Sequence, residues 1–135
     1  MGRNKQQRLK ENREIQRECN IQTIRDYEKK MDTLDEQIGK ISLNIAALNK
    51  ANRIGTFSLS YLEHVPEEAK LYSSVGKMFV YEQRDRVFSS LADSIEHTND
   101  RIPKLRETLQ KFDQRKREQS AALKELYESI QVSST

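Results

Sequence analysis

Apolar residues recur at helical spacing along most of this chain, on both sides of one short stretch that breaks the pattern. From Ile24 onward, Ile24, Tyr27, Met31, Leu34, Ile38, Ile41, Ile45 and Leu48 follow one another in alternating steps of three and four. That is a heptad seam, sustained long enough to predict a coiled coil. The positions between are mostly Lys, Glu, Asp, Gln and Asn, as a solvated face requires. Extended backward, the seam turns polar at Asn20, Arg17 and Arg13, and Ile15, Cys19 and Ile21 fall out of step with it. A second seam runs through Phe88, Leu91, Ile95, Thr98, Ile102, Leu105, Leu109, Phe112, Lys116, Gln119, Leu123, Leu126 and Ile130. Pro103 falls inside it, where it removes a backbone donor and predicts a kink or a local opening.

Residues 71–81 read differently. Here apolar, aromatic and β-branched side chains crowd around one glycine, and Met78 and Val80 alternate with Lys77, Phe79 and Tyr81. A period of two predicts strands. Gly76 tolerates positive φ, so the tight turn is placed over 74–77, near Val75 and Gly76. The β-hairpin therefore spans 70–82. A lone two-stranded hairpin is marginal in water, and an apolar edge invites pairing. It either folds back onto its own helices or pairs with strands of other chains. The polar flanks look unable to wrap it, which favours the second.

These patterns predict a mainly α fold: a long antiparallel coiled-coil hairpin whose two helices are joined by a short connector and one β-hairpin. Within a single domain, residues 1–19 form a basic leader and distal tip, 20–54 the first helix, 55–69 the connector and 84–131 the second helix. Gly55 is expected to cap the first helix, which ends over 52–55. Ser58 is expected to start a short helical turn over 59–64, closed by Pro66, and Asp85 to cap the second helix. If Leu48 faces Phe88, successive layers fall into place down to Ile24 with Phe112, and all but the Thr98 layer are apolar on both sides. Beyond them Asn20 and Arg17 would meet Lys116 and Gln119, and Leu123, Leu126 and Ile130 would face Arg13, Lys10 and Gln6. Either that stripe is bare and able to hold something hydrophobic, or the register slips so that Leu9, Ile15 and Cys19 cover it. Both stay open.

Composition narrows the function. Of 135 residues, 35% are hydrophobic and 33% charged, with four Gly, two Pro and no Trp, which suits long helices and disfavours one large core. Cys19 is alone, so no internal disulfide forms. His64 and His97 stand far apart without further ligands at zinc spacing, and no cofactor or metal is expected. No apolar run is long enough to span a membrane. No secretory signal is recognised, and Gln6 stands where a myristoylation motif needs Ser or Thr. The chain reads as a soluble protein of a reducing compartment. A net charge of +3 with interleaved signs is the pattern of a solvated helix face. The basic leader could touch phosphates or lipid, but a solvated helix end explains it as well, so neither nucleic acid nor membrane is expected as a partner. No phosphate-binding loop, activated nucleophile or paired carboxylate argues for an enzyme.

The order of elements, with Leu62, Pro66, Tyr72, Val75, Gly76, Lys77, Met78, Phe79 and Val80 followed by Val87 and Leu91, resembles the β-class subunits of prefoldin. Only residues 62–91 are specific, and the Val-Gly-Lys-Met-Phe core is most similar to the subunit 1 type of eukaryotes. The resemblance implies a subunit of an ATP-independent, hetero-hexameric co-chaperone of the cytoplasm. Its partners would be α- and β-class subunits, unfolded actin and tubulin as clients, and the cytosolic group II chaperonin. It implies an assembly role for Leu71, Tyr72, Val75, Gly76, Met78, Phe79, Val80 and Tyr81. It implies client contacts at the coiled-coil tip, near Leu9, Ile15, Leu123, Leu126 and Ile130, assigned by position and hydrophobicity. The alternative is a coiled-coil scaffold or tether that binds one defined folded partner.

Overall fold

The computed structural model describes residues 4–134, with side chains to residue 131. Its element order is α1 (Lys5–Glu63), β1 (Leu71–Val75), β2 (Met78–Glu82) and α2 (Arg84–Ser134). The chain divides into two units, Ile41–Leu109 and Met1–Lys40 with Gln110–Thr135. The first is called the hairpin unit below and the second the terminal unit.

Half-buried positions reproduce both seams. On α1 they include every seam residue from Ile24 to Leu48, and on α2 every one from Phe88 to Ile130 except Thr98 and Ile102. Among the described residues only Thr98 and Ile102 are buried beyond that, each to 6% exposure, both in the hairpin unit. Two helices packed along one stripe cover that stripe alone, so each side chain keeps an edge in solvent.

The sequence-derived register is wrong by two heptads. In the hairpin unit Gly55 abuts Ile95, and the Asn52 amide donates to Asn99 Oδ1 at 3.0 Å. In the terminal unit the Lys116 ammonium meets the Asp35 carboxylate. The residue numbers of each pair add to 150 or 151. Leu48 is therefore level with Ile102 and not with Phe88. Phe88 lies level with Leu62, and in the terminal unit Leu123 and Leu126 lie level with Tyr27 and Ile24.

The cause is the length of α1. It does not stop over 52–55, and no separate turn begins at Ser58, because the helix continues to Glu63. Asn52, Gly55, Leu59 and Leu62 extend the same alternation of three and four, and all four are half-buried. Gly55 is not a left-handed cap, since Gly76 alone among the described residues has positive φ. A Cβ at position 55 would lie 3.2 Å from Ile95 Cγ1, so glycine here lets Ile95 close against the α1 backbone. The longer overlap partners Leu59, Leu62, Leu123, Leu126 and Ile130, which the expected register leaves uncovered. Full burial of one such side chain is worth about 1.5–3 kcal/mol, so several partial burials outweigh a few polar seam residues.

Those polar residues are largely accommodated. Thr98 Oγ1 donates to the Ser94 carbonyl at 2.9 Å. Lys116 reaches to the seam edge and pairs with Asp35, whose hydrogen bond and charge hold its amino group above the usual lysine range. Arg17 has no part in that layer. Asn52 Oδ1 and Gln119 Oε1 are buried without a hydrogen-bond partner, each a cost of about 1–3 kcal/mol.

The ends follow local rules. Gln7 N–H donates to Asn4 Oδ1 at 2.8 Å, and Asn4 N–H to Gln7 Oε1 at 3.4 Å, a reciprocal cap that starts α1 fifteen residues before position 20. Asp85 is not a cap but sits inside the first turn of α2, where its charge complements the helix dipole. Pro66 starts a turn closed by Ala69 N–H to the Pro66 carbonyl at 3.0 Å. α2 runs through Pro103 unbroken; the missing N–H leaves the Asn99 carbonyl without its helical donor.

The register yields a direct test. In a Cys19→Ser background, Asn52→Cys with Asn99→Cys should oxidise nearly completely to an intramolecular disulfide, read by mass after thiol alkylation. Leu48→Cys with Phe88→Cys should stay reduced under the same conditions. The opposite result would restore the shorter overlap.

Candidate functional site

β1 and β2 pair antiparallel, with Leu71 opposite Glu82, Tyr72 opposite Tyr81, Ser73 opposite Val80, Ser74 opposite Phe79 and Val75 opposite Met78. The two-residue loop is Gly76-Lys77, one position beyond the expected turn centre. Gly76 has φ 62° and Lys77 a negative φ, the signs of a type II′ turn with glycine first. That turn has the twist of the flanking strands, so it pins the register.

Opposed residues share a face, which divides the hairpin in two. One face carries Leu71, Ser73 and Val75 with Glu82, Val80 and Met78. Leu71, Ser73 and Glu82 on it are half-buried, beside a cleft to which Leu62, Val87 and Leu91 also contribute. The other face carries Tyr72, Ser74, Phe79 and Tyr81, and its aromatic residues are exposed, Phe79 to 75%. Tyr72 and Tyr81 meet edge to face with centroids 6.1 Å apart, a pairing that presents two rings together at low entropic cost. Val75, Met78 and Val80 are exposed as well. The hairpin therefore does not fold back onto its helices, apart from the row at its base. Among the described residues each strand pairs only with the other, so both outer edges are free.

Arg84 holds the base of this hairpin, and sequence reasoning missed it. Its guanidinium donates to the carbonyls of Val65 at 2.8 Å, Pro66 at 3.1 Å and Leu62 at 3.1 Å. It also lies 5.0 Å from the Phe88 ring centroid. The last carbonyls of a helix lack intrahelical donors and carry partial negative charge. An arginine opening α2 thus donates to Leu62 in the last turn of α1 and to Val65 and Pro66 just beyond it, and brings positive charge to that end. No local signal identifies the role, because the acceptors lie 18 to 22 residues away.

The expected tip residues separate into two groups. Leu123, Leu126 and Ile130 are half-buried in the seam, so the bare stripe is absent. Nor do Leu9, Ile15 and Cys19 cover it: all three are exposed. In the register of the terminal unit Ile130 is level with Asn20, so α1 residues 5–15 have no described α2 residue opposite them. Leu9 and Ile15 are the accessible apolar residues there, with Ile21 and Tyr127 nearby in sequence to the two seams. Among the described residues no group of three or more His, Cys, Asp or Glu could hold a metal, and no helix is long and apolar enough to cross a membrane.

A protein-family model described as prefoldin subunit matches residues 18–130. Among solved structures, the chain is similar to the crystal structure of the prefoldin beta subunit from Thermococcus strain KS-1, with a TM-score of 0.50 and 21% identity. That match covers 82% of this chain and 90% of the other. No curated protein matches the sequence.

Replacing Arg84 with Ala should lower stability by about 1–2 kcal/mol, the loss of charged donors to partly exposed carbonyls. Urea denaturation followed by circular dichroism would measure it. Arg84→Lys should recover less than half, because an ammonium cannot fork across three acceptors.

Proposed function

The chain belongs to the prefoldin family, and from that membership we propose that it acts as a β-class subunit of a hetero-hexameric co-chaperone, of the subunit 1 type. Prefoldins are chaperones without catalytic activity that assemble with other prefoldin subunits. In this reading the β-hairpin is the assembly element. The observation that carries it is the exposed aromatic face of Tyr72, Phe79 and Tyr81 between two unpaired strand edges. Such a surface is unfavourable in water and templates further strands. Strands from neighbouring subunits would satisfy its backbone groups and bury its rings, and Leu71, Val75, Gly76, Met78 and Val80 would take part from the same hairpin.

The opposite function, holding an unfolded client, falls to the terminal unit. Leu9 and Ile15 are the side chains a client reaches without disturbing the seam. Leu123, Leu126 and Ile130 would take part only where the coil loosens around Gln119 and its unpartnered oxygen. Weak contacts to several apolar side chains suit a protein that must accept varied chains and release them. Unfolded actin and tubulin are the proposed clients, the cytosolic group II chaperonin their recipient and the cytoplasm the place.

Native mass spectrometry of the tagged chain from its own cells tests the assembly. A complex of six different subunits is the expected result; a monomer or homodimer would defeat the reading. Phe79→Asp should reduce incorporation at least tenfold, because a buried unpaired carboxylate opposes strand packing. Leu9→Ser with Ile15→Ser should leave incorporation unchanged and weaken capture of denatured actin several-fold in a light-scattering assay. Loss of assembly in the Leu9/Ile15 variant would show that the two roles are not separated along the chain.

A further inference from the structure

The net charge of +3 resides in the terminal unit. That unit carries fifteen Lys and Arg against twelve Asp and Glu, whereas the hairpin unit carries nine of each. Six of these cations line two grooves. The first groove, of about 450 Å³, is formed on α1 by Gln6, Leu9, Lys10, Arg13, Glu14 and Arg17. The second, of about 380 Å³, lies between the helices and is lined by Lys29, Lys30, Thr33 and Leu34 of α1 and by Arg115, Glu118 and Gln119 of α2. Each combines one leucine, three exposed cations and one glutamate.

A solvated helix end does not account for the first groove. At about 100° per residue, Lys10, Arg13 and Arg17 fall within about 60° of one another, at positions that continue the α1 seam past the level of Ile130. Like charges three and four residues apart repel, so this sorting costs the free helix stability. In the second groove the cations come from both helices. The Lys30 ammonium lies 5.8 Å from the Tyr27 ring centroid and the Arg115 guanidinium 5.4 Å from that of Phe112, which steadies both at its rim.

We propose that the terminal unit selects client segments in which acidic residues adjoin apolar ones, with the apolar side chain against Leu9 or Leu34 and the carboxylates against the surrounding cations. This rests on the client-holding role proposed above and names the chemistry it prefers. Charge complementarity selects an anion, and the leucine in each groove selects one that also carries apolar groups. The volumes admit a few side chains of an extended segment and exclude a folded domain. A polynucleotide fits less well. It places a phosphate at every residue, which Glu14 and Glu118 would repel, whereas a polypeptide can set neutral residues opposite them. Exposed ion pairs are individually weak, so the selection is modest and release stays easy.

The experiment uses the purified full chain and three dye-labelled probes of equal length: an unstructured peptide repeating Leu-Glu-Ser, the same peptide with Gln for Glu, and oligodeoxythymidine. Fluorescence anisotropy at low salt should show the acidic peptide binding at least fivefold more tightly than the neutral one. The two should bind alike at about 1 M salt, where the Debye length shrinks to about 3 Å. Lys10→Gln, Arg13→Gln, Arg17→Gln, Lys29→Gln, Lys30→Gln and Arg115→Gln combined should remove the preference at low salt while the helical signal in circular dichroism is kept. Equal binding of the two peptides by the unmodified chain overturns this inference and leaves client holding standing; binding of neither defeats the client-holding reading itself. A preference that persists at high salt or in the combined variant overturns the inference too, as does tighter binding of oligodeoxythymidine than of the acidic peptide.

Discussion

The register of the antiparallel seam is the constraint on which the rest depends. It decides where α1 ends, hence where the hairpin starts, and which side chains are covered. The hairpin and terminal units report the same offset independently, through Gly55 with Ile95 and Asn52 with Asn99 in one, and Asp35 with Lys116 in the other. An offset two heptads shorter keeps the same alternation of apolar residues, so periodicity cannot tell the two apart. The longer overlap buries more apolar surface, and it does so by accepting Asn52, Lys116 and Gln119 into the seam.

Polar residues in the seam then acquire distinct consequences. Asn52 and Thr98 lie level and beside Asn99, which concentrates polar groups in one layer rather than opposing them to leucine. That layer costs stability and favours one offset over its neighbours, the use to which a buried asparagine is put in other coiled coils. In the terminal unit Lys116 and Gln119 weaken the seam just before the apolar run that ends at Ile130. Local opening free energies are lowest where few apolar contacts and an unsatisfied polar group coincide, and the proposed client contacts lie in that unit.

The hairpin is kept exposed by the same architecture. Arg84 fastens the end of α1 to the start of α2, so the strands leave from a base whose carbonyls are already satisfied. Only Leu71, Ser73 and Glu82 are drawn toward the helices; the aromatic face is left without a cover. The proposed assembly role would give that exposed face a reason.

Much of this was legible in the sequence because it depends on local spacing. Two helices, their inward residues from Ile24 to Leu48 and from Phe88 to Ile130, and a hairpin turning at a glycine all follow from periods of 3.5 and 2 and from the positive φ that Gly76 adopts. Gly55 misled because glycine marks both a helix end and a close approach, and only Ile95, forty residues away, distinguishes them. The start of α1 at Lys5 was not placed, although a solvated helix end was one reading of the basic leader, because that start depends on a reciprocal cap between Asn4 and Gln7 and no apolar pattern announces it. The offset of the seams, the covering of Leu123, Leu126 and Ile130, and the anchoring by Arg84 were decided by tertiary structure. Each is a choice between residues far apart in the chain, settled by total burial and by which carbonyls remain without donors, and neither quantity exists until the two helices meet.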